Sequence, residues 1–183
     1  AVDIEQRNNY PWQGDLKFIV SPKKGSLPFV FKIRIPGWAL NEAIPSDLYS
    51  YSATSESKVV ITVNGTAAEY NMQNGYAVLD RTWKKNDMVQ VNLPMEVRRV
   101  KANKKLKDDI GKVALQRGPL MYCAEWPDNN GSVSTIVLPA MATFTTKYEP
   151  ALLNGVVILK SEINKVEVAD NKVSTSKQAF AAI

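Results

Sequence analysis

The stretch Gly75–Met95, GYAVLDRTWKKNDMVQVNLPM, decides the fold class of this chain. Apolar residues recur at every second position over Tyr76–Asp80 and again over Val89–Leu93. A period of two places successive side chains on opposite faces of a strand. Pro94 ends the second segment, because proline cannot donate a ladder hydrogen bond. The stretch therefore predicts a hairpin pattern: two strands joined by a tight polar turn, each with one face against a core.

Short apolar segments of the same kind recur along the chain between turn signals. The clearest is Phe29–Ile35, in which Phe and Ile side chains share one face. Asn64-Gly65 and Asn74-Gly75 are hairpin signals, because both residues tolerate the positive φ of a type I′ turn. No segment longer than ~10 residues keeps a 3.6-residue period. The other predicted strands are Leu16–Val20, Val59–Val63, Lys112–Gln116, Leu120–Ala124, Val133–Leu138, Val156–Leu159 and Lys165–Val168.

These patterns predict an all-β chain, an antiparallel β-sandwich of jelly-roll type with a second, smaller β unit. We expect the sandwich over residues 1–100 and the second unit, incomplete, over residues 101–183. One continuous β domain is the alternative. The basic stretch Arg98–Asp109 is the predicted junction between the units, and Asn41–Ser57 is predicted to be an irregular surface excursion.

Histidine is absent from the chain, and Cys123 is its single cysteine. These counts exclude serine–histidine and cysteine–histidine nucleophile systems and histidine-ligated metal sites within the chain. They also exclude an internal disulfide and a cysteine-cluster zinc site. Carboxylate, lysine or tyrosine chemistry is still allowed, but most of the usual catalytic side chains are missing.

The formal net charge is +5, which by itself would favour a nucleic-acid partner. The 23 basic and 18 acidic residues are mixed along most of the chain, and the basic cluster Arg98–Lys107 is followed at once by two aspartates. We interpret the cluster as a solvated loop face and expect no nucleic-acid partner. A basic nucleic-acid-binding β protein, with steeply salt-dependent affinity, is kept as a third hypothesis. We also expect no membrane partner, because no apolar run approaches the ~20 residues that span a bilayer.

Two carboxylate pairs, Asp108/Asp109 and Glu125/Asp128, are close in sequence. A glycosidase needs two carboxyl groups across a sugar ring, roughly 5 Å apart for retention or ~6.5–9.5 Å apart for inversion. Adjacency in sequence does not supply that geometry, and Asp is favoured near turns, so we predict structural roles. Cys123 lies in a predicted strand with apolar neighbours and is predicted to be a core residue.

Two further patterns have competing interpretations. Asn64-Gly65-Thr66 and Asn130-Gly131-Ser132 match the glycosylation acceptor pattern, but a tight turn explains each Asn-Gly pair sufficiently. Tryptophans on a β-sandwich either pack inside it or stack against sugar rings, and we favour packing. Exposure of two or more of them on one face would favour a carbohydrate-binding module. The four candidates are Trp12, Trp38, Trp83 and Trp126.

Four segments in this order and spacing resemble the C-terminal β region of glycoside hydrolase family 127, the β-L-arabinofuranosidase-like group. They are YPWQGD (10–15), IRIPGWA (33–39), Gly75–Met95 and VALQRGPLMY (113–122). The third departs from the family pattern at Asn86, where members often have Gly. Asn is the next most tolerant residue for a left-handed backbone, so the turn is expected to survive.

The resemblance implies a larger enzyme in which a helical (α/α)6 barrel precedes β-sandwich domains. It also implies retaining chemistry by a cysteine nucleophile and a glutamate acid/base, with zinc held by cysteines and a glutamate. All of these residues belong to the barrel, so none is carried onto this chain, and Cys123 is not matched to them. We therefore expect a fragment without catalytic residues or a cofactor of its own.

On this interpretation the chain packs against the helical catalytic domain of the same parent polypeptide and supports homodimer formation. The parent would be a glycoside hydrolase of carbohydrate metabolism, periplasmic or secreted if it is exported. The alternative is a carbohydrate-binding module that uses surface tryptophans.

Overall fold

The computed structural model describes residues 1–131, 133–169 and 172–183. Within these ranges the regular structure is β-strand with three short 3₁₀ turns, and no helix there is long and apolar enough to cross a membrane. The all-β prediction is confirmed. The strands are β1 (Val2–Asn8), β2 (Asp15–Pro22), β3 (Leu27–Arg34), β4 (Tyr49–Tyr51), β5 (Val60–Val63), β6 (Thr66–Ala67), β7 (Asn71–Gln73), β8 (Tyr76–Trp83), β9 (Asp87–Asn92), β10 (Val97–Ala102), β11 (Ala114–Arg117), β12 (Leu120–Tyr122), β13 (Ile136–Val137), β14 (Thr145–Glu149), β15 (Val156–Ala169) and β16 (Lys172–Ala182).

The internal contacts divide the chain into two units, Ala1–Leu120 and Met121–Ile183. The first unit contains a five-stranded antiparallel sheet in the order β1-β2-β9-β5-β6 and a three-stranded sheet in the order β3-β8-β7. Alternate residues of both sheets form one buried core, as the period of two predicts. The antiparallel sandwich is therefore confirmed. The division at residue 100 stays a prediction.

Aromatic side chains fill the space between the two sheets. Phe18 of β2 contacts Phe31 of β3 edge to face, with ring centroids 5.5 Å apart. Phe31 in turn meets the ring of Trp83, which is fully buried at the end of β8. The predicted packing role of Trp83 follows from this position. Aromatic pairs of this geometry add to the stabilisation from area burial.

The hairpin predicted over Gly75–Met95 is wrong in one respect, because its two strands do not pair with each other. β8 lies between β3 and β7, whereas β9 lies between β2 and β5 in the other sheet. The alternation itself is confirmed, since Leu79 and Val89 are buried. Each strand has its ladder partners elsewhere in the chain, so the turn between them carries the chain from one sheet to the other. Asn86 adopts the expected left-handed conformation there, with a φ of 66°.

Both Asn-Gly hairpins are present. Val63 pairs with Thr66 across Asn64-Gly65, and Gln73 pairs with Tyr76 across Asn74-Gly75. All four turn residues have positive φ, between 51° and 81°, as a type I′ turn requires. The Asn64 side chain is also engaged, because its Nδ2 donates to Asp87 Oδ1 at 2.9 Å.

Asp87 is a buried carboxylate that holds the turn after β8. It accepts hydrogen bonds from Lys84 N at 2.8 Å and from Asn64 Nδ2. Burial by itself raises the pKa of Asp87. The hydrogen bonds from Lys84 N and Asn64, with the positive charges of Arg81 and Lys84, outweigh burial and lower the pKa below its usual value. The ionised form is therefore the one that the folded chain stabilises.

Replacing Asp87 should make the stability of the first unit less dependent on pH. Because the folded pKa is lowered, the stabilisation is present above the unfolded pKa of ~3.9 and is lost as pH falls through the folded value. Asp87→Asn should cost about 2 kcal/mol at pH 7, and this deficit should shrink below pH 4. Urea unfolding at several pH values measures both effects. The exposed Asp80→Asn is the control, and an equal deficit at pH 7 and pH 3 would contradict the assignment.

Two segments predicted to be irregular contain strands. Val97–Ala102 of the basic stretch forms β10, and Tyr49–Tyr51 of the predicted surface excursion forms β4, which pairs with β10. β11 pairs along the other edge of β10. The prediction of a solvated loop face over Arg98–Lys107 is therefore wrong for its first half. Its consecutive charges conceal a strand whose Val100 is buried, with the Arg98 guanidinium over the Tyr51 ring.

In the second unit, β15 pairs with β13, β14 and β16. The predicted strands Val156–Leu159 and Lys165–Val168 are one continuous strand, because residues 160–164 between them keep the ladder with β16. A 3₁₀ turn at Pro127–Asn129 precedes β13 and contacts β16 through the fully buried Asn129. The second glycosylation pattern includes Ser132, which lies outside the described residues.

Candidate functional site

Segments that are far apart in sequence meet around the side chain of Met95 in the first unit. A Cβ atom at Gly14 would lie 2.9 Å from Met95 Cγ, and one at Gly118 would lie 2.6 Å from Met95 Sδ. The ring of Trp38 lies beside the same glycine, 3.8 Å from that position. These residues come from all four segments that carry the family resemblance. The four-segment junction comprises Trp12, Gly14, Trp38, Met95, Arg117 and Gly118.

Close backbone approach explains the two glycines of the junction. A Cβ at Gly14 would overlap the carbonyl oxygen of Leu93, whose amide donates to Gly14 O at 2.9 Å. Gly118 has a φ of 57°, in the left-handed region where a side chain is costly. Larger residues would therefore push the segments apart. The four segments that carry the family resemblance therefore pack together here.

Arg117 joins the junction to the loop before β2. Its Nη1 donates to the carbonyl oxygen of Trp12 at 2.9 Å, across 105 positions of sequence. Its Nε is buried and has no hydrogen-bond partner among the described residues. A cation thus sits in the junction with part of its donor capacity unused.

A narrow cleft adjoins the junction and is lined mainly by polar side chains. Tyr51 OH donates to Gln116 Oε1 at 3.0 Å, Gln116 Nε2 donates to Gly118 O at 3.0 Å, and Arg98 lies over the Tyr51 ring. Burial raises the pKa of Tyr51, and the Arg98 cation opposes this. The space inside is about 10 Å³, enough for roughly one water molecule. A sugar ring does not fit this cleft.

Among the described residues that line the cleft, Glu96 supplies the carboxylate. It accepts a hydrogen bond from the Ser57 hydroxyl. Hydrogen bonds from Ser55 and Ser57 lower the pKa of Glu96, with a smaller contribution from Arg98. A carboxyl group with a lowered pKa is ionised at neutral pH and is a poor general acid. No second carboxylate lines the described walls of the cleft, so the pair that a glycosidase needs is not assembled here.

The structure disperses the four tryptophans. Trp83 is fully buried, and its Nε1 donates to Phe29 O at 3.0 Å. Trp12 and Trp38 are half-buried at the junction. Trp126 belongs to the second unit and is 67% exposed. No tryptophan of the first unit forms an open platform, so the arrangement does not favour a carbohydrate-binding surface built from them.

Each of the two predicted carboxylate pairs has a member in a short 3₁₀ turn. Asp109 lies in a 3₁₀ turn and accepts a hydrogen bond from Tyr49 OH at 3.1 Å. Asp128 lies in the 3₁₀ turn that ends at Asn129. Across the described ranges no group of three or more Cys, Asp or Glu side chains could hold a metal ion.

The prediction that Cys123 is a core residue is wrong, because its side chain is exposed. It follows β12, and its backbone pairs with that of Ile183 through two hydrogen bonds of 2.8 and 3.0 Å. Along this segment Tyr122 and Ala124 are half-buried while Met121 is exposed. The period of two therefore places Cys123 on the outward side with Met121. The apolar letters around it did not reveal which side faces solvent.

Gly14, Met95, Arg117 and Gly118 lie in the segments that carry the family resemblance, but the sequence patterns predicted no role for them. The two glycines next to strand ends were the signal that could have indicated this junction, because glycine often marks close backbone approach. Their convergence depends on tertiary packing, which the spacing alone does not show.

The first unit is an antiparallel β-sandwich in which segments far apart in sequence meet at the four-segment junction. Residues 1–95 match the model of the GH127 β-L-arabinofuranosidase middle domain, and residues 97–179 match that of the glycoside hydrolase family 127 C-terminal domain. The chain therefore belongs to glycoside hydrolase family 127.

Three relatives illustrate the similarity. A non-reducing end β-L-arabinofuranosidase of Bifidobacterium longum subsp. longum is 35% identical over 135 residues, which are 73% of this chain and 18% of the relative. The structure of a GH127 β-arabinofuranosidase matches all of this chain and 28% of its own, with 37% identity and a TM-score of 0.92. A GH127 β-L-arabinofuranosidase from Geobacillus stearothermophilus T6 matches with 33% identity, a TM-score of 0.84 and 27% of its own chain. This chain thus spans less than a third of each of these proteins.

Proposed function

We propose that this chain is the non-catalytic C-terminal β-sandwich part of a GH127 glycoside hydrolase and packs against a helical catalytic barrel of the same polypeptide. The parent enzyme would act on β-L-arabinofuranosides and hold its zinc in the barrel, so this part needs no cofactor. Homodimer formation is a second role of the same part. The family membership and the small fraction of each relative that the chain matches support this proposal.

One observation carries the non-catalytic role. The cleft beside the junction holds Glu96 in ionised form but has room for roughly one water molecule. Retaining hydrolysis requires two reacting groups on either side of a sugar ring. The closely packed glycines of the junction leave no space for that ring. Such packing is typical of a structural part that holds segments together.

Sugar release separates the chain from its parent. The 183-residue chain should release no arabinose from an aryl β-L-arabinofuranoside, whereas the full-length polypeptide that contains it should hydrolyse the substrate. A chromogenic leaving group makes the rates directly measurable. Release by the chain alone, abolished by Glu96→Gln, would contradict the proposal, because the chain would then contain its own reacting group.

A further inference from the structure

Asparagine followed by glycine occurs four times in the chain, and both residues of every pair have a left-handed backbone. The asparagines have φ between 51° and 64°, and the glycines have φ between 79° and 106°. Such a pair can rearrange without an enzyme, because glycine has no side chain to hinder attack by its own nitrogen on the neighbouring amide. The four pairs differ in how the reacting atoms are held. They are Asn64-Gly65, Asn74-Gly75, Asn130-Gly131 and Asn154-Gly155.

Hydrogen bonds restrain three of the four pairs. Asn64 Nδ2 donates to Asp87 Oδ1 at 2.9 Å, and Asn64 Oδ1 accepts from Met88 N at 2.8 Å. In two other pairs the attacking nitrogen is engaged, since Gly131 N and Gly155 N each donate to a main-chain carbonyl oxygen at 2.8 Å. In each of the three, a hydrogen bond must break before the side-chain amide and the glycine nitrogen can meet.

The pair Asn74-Gly75 lacks both restraints. Asn74 is exposed, and among the described residues neither its side chain nor the Gly75 N–H has a hydrogen-bond partner. The Gly75 carbonyl oxygen, by contrast, accepts from Ile35 N at 2.9 Å and from Arg34 Nη1 at 2.7 Å. The peptide group between Asn74 and Gly75 is therefore free to rotate while the ends of the turn stay in place.

Rotation of this peptide group brings the reacting atoms together. Turn types I′ and II′ share a positive φ at the first central residue but differ there in ψ, which is about +30° in type I′ and about −120° in type II′. At the second ψ value the next nitrogen eclipses Cβ, so Gly75 N comes within reach of Asn74 Cγ. Glycine tolerates the φ that either turn requires at the second central position. The attacking geometry is thus reached without moving β7 or β8.

We propose that Asn74 is a site of spontaneous deamidation in the folded chain. The Gly75 nitrogen gives its proton to hydroxide and bonds to Asn74 Cγ, the Cγ–Nδ2 bond breaks, and ammonia leaves. Water then opens the succinimide at one of its two carbonyls, which leaves aspartate or isoaspartate at position 74. The reaction changes no oxidation state. The new carboxylate removes one unit of the formal net charge of +5.

Isoaspartate at this position separates β7 from β8. It inserts one more carbon atom into the main chain of a two-residue turn, and turn length fixes the register of a hairpin. Within the described ranges β7 is the edge strand of its sheet, and it pairs with β8 through Asn71–Gln73. The protection of these three residues against amide exchange should therefore be lost in the molecules that have reacted.

Peptide mass mapping of the full-length polypeptide, incubated at mildly alkaline pH, compares the four pairs in one sample. Asn74 should react fastest. Asn130 and Asn154 should react roughly 2- to 10-fold more slowly, and Asn64, which is bonded to a carboxylate, roughly 10- to 100-fold more slowly. In urea the four rates should converge, because the unfolded chain keeps none of these hydrogen bonds. A rate at Asn74 no higher than at the other three in the folded protein would overturn the inference.

Asn74→Gly is the matched variant. Glycine keeps the turn, since it is favoured at both central positions of type I′, but it has no side-chain amide to attack. Exchange of the β7 amides should rise during incubation of the unsubstituted protein and stay at its starting rate in Asn74→Gly. An equal rise in both proteins would show that another change loosens β7, which would refute the assigned effect of isoaspartate.

Discussion

Trp83→Ala should lower the free energy of unfolding of the first unit by about 3–5 kcal/mol, the usual cost of deleting a large aromatic from a core. The side chain is fully buried, and its ring lies 5.7 Å from that of Phe29 and 5.8 Å from that of Phe31. Its Nε1–H satisfies the Phe29 carbonyl at 3.0 Å. The substitution leaves a cavity between the two sheets and removes the hydrogen bond to the Phe29 carbonyl. Since domains are stable by only about 5–15 kcal/mol, a large part of the stability would be lost.

Two further variants separate the contribution of the hydrogen bond and provide a control at an exposed tryptophan. Trp83→Phe keeps most of the ring packing but loses the hydrogen bond, so about 1–2 kcal/mol should be lost. Trp126→Ala removes a tryptophan that is 67% exposed and should change stability by less than about 0.5 kcal/mol. Chemical denaturation followed by circular dichroism avoids the lost fluorescence. Equal losses at Trp83 and Trp126 would contradict the core assignment.

The sequence predicted strand positions better than it predicted strand partners. Alternation in Gly75–Met95 correctly identified the buried faces of β8 and β9, because one buried face imposes a period of two in any sheet. Pairing depends on strands elsewhere in the chain, here β3 and β7 for one and β2 and β5 for the other. A turn of a few residues suits a hairpin and a crossover between sheets equally well. Local sequence therefore could not choose between them.

Charged residues concealed β10 for a related reason. Arg98 and Arg99 interrupt the apolar alternation, yet Arg98 covers Tyr51 with its guanidinium and Val100 is buried. Long cationic side chains can cover apolar surface while the charge contacts water or an aromatic face. A pattern that counts Arg as polar misses this. The same limit applied to Arg117, whose role depends on the Trp12 carbonyl 105 residues away.

The sequence did not indicate that Asn129 is buried, because its neighbours are typical of an exposed turn. The sequence Asn129-Asn130-Gly131 fits a polar loop, and Asn130 has the left-handed φ of 56° that such a turn needs. Asn129 is instead fully buried. Its Nδ2 donates to Glu125 O at 2.7 Å and Ala181 O at 2.9 Å, and its Oδ1 accepts from Ala181 N at 3.1 Å. It thus ties the 3₁₀ turn to β16.

Asn129→Ala should lower the stability of the second unit by about 3 kcal/mol or more, because two carbonyls and one N–H lose their partner inside the protein. Asn129→Asp tests the same geometry by charge: an ionised carboxylate would face two carbonyl oxygens, so its deficit should be larger at pH 7 than at pH 4. Amide exchange at residues 179–182 reports the unit directly and does not require two-state unfolding of the whole chain. The neighbouring, exposed Asp128→Asn is the control. If exchange at residues 179–182 is unchanged in Asn129→Ala, the amide does not hold β16 in place.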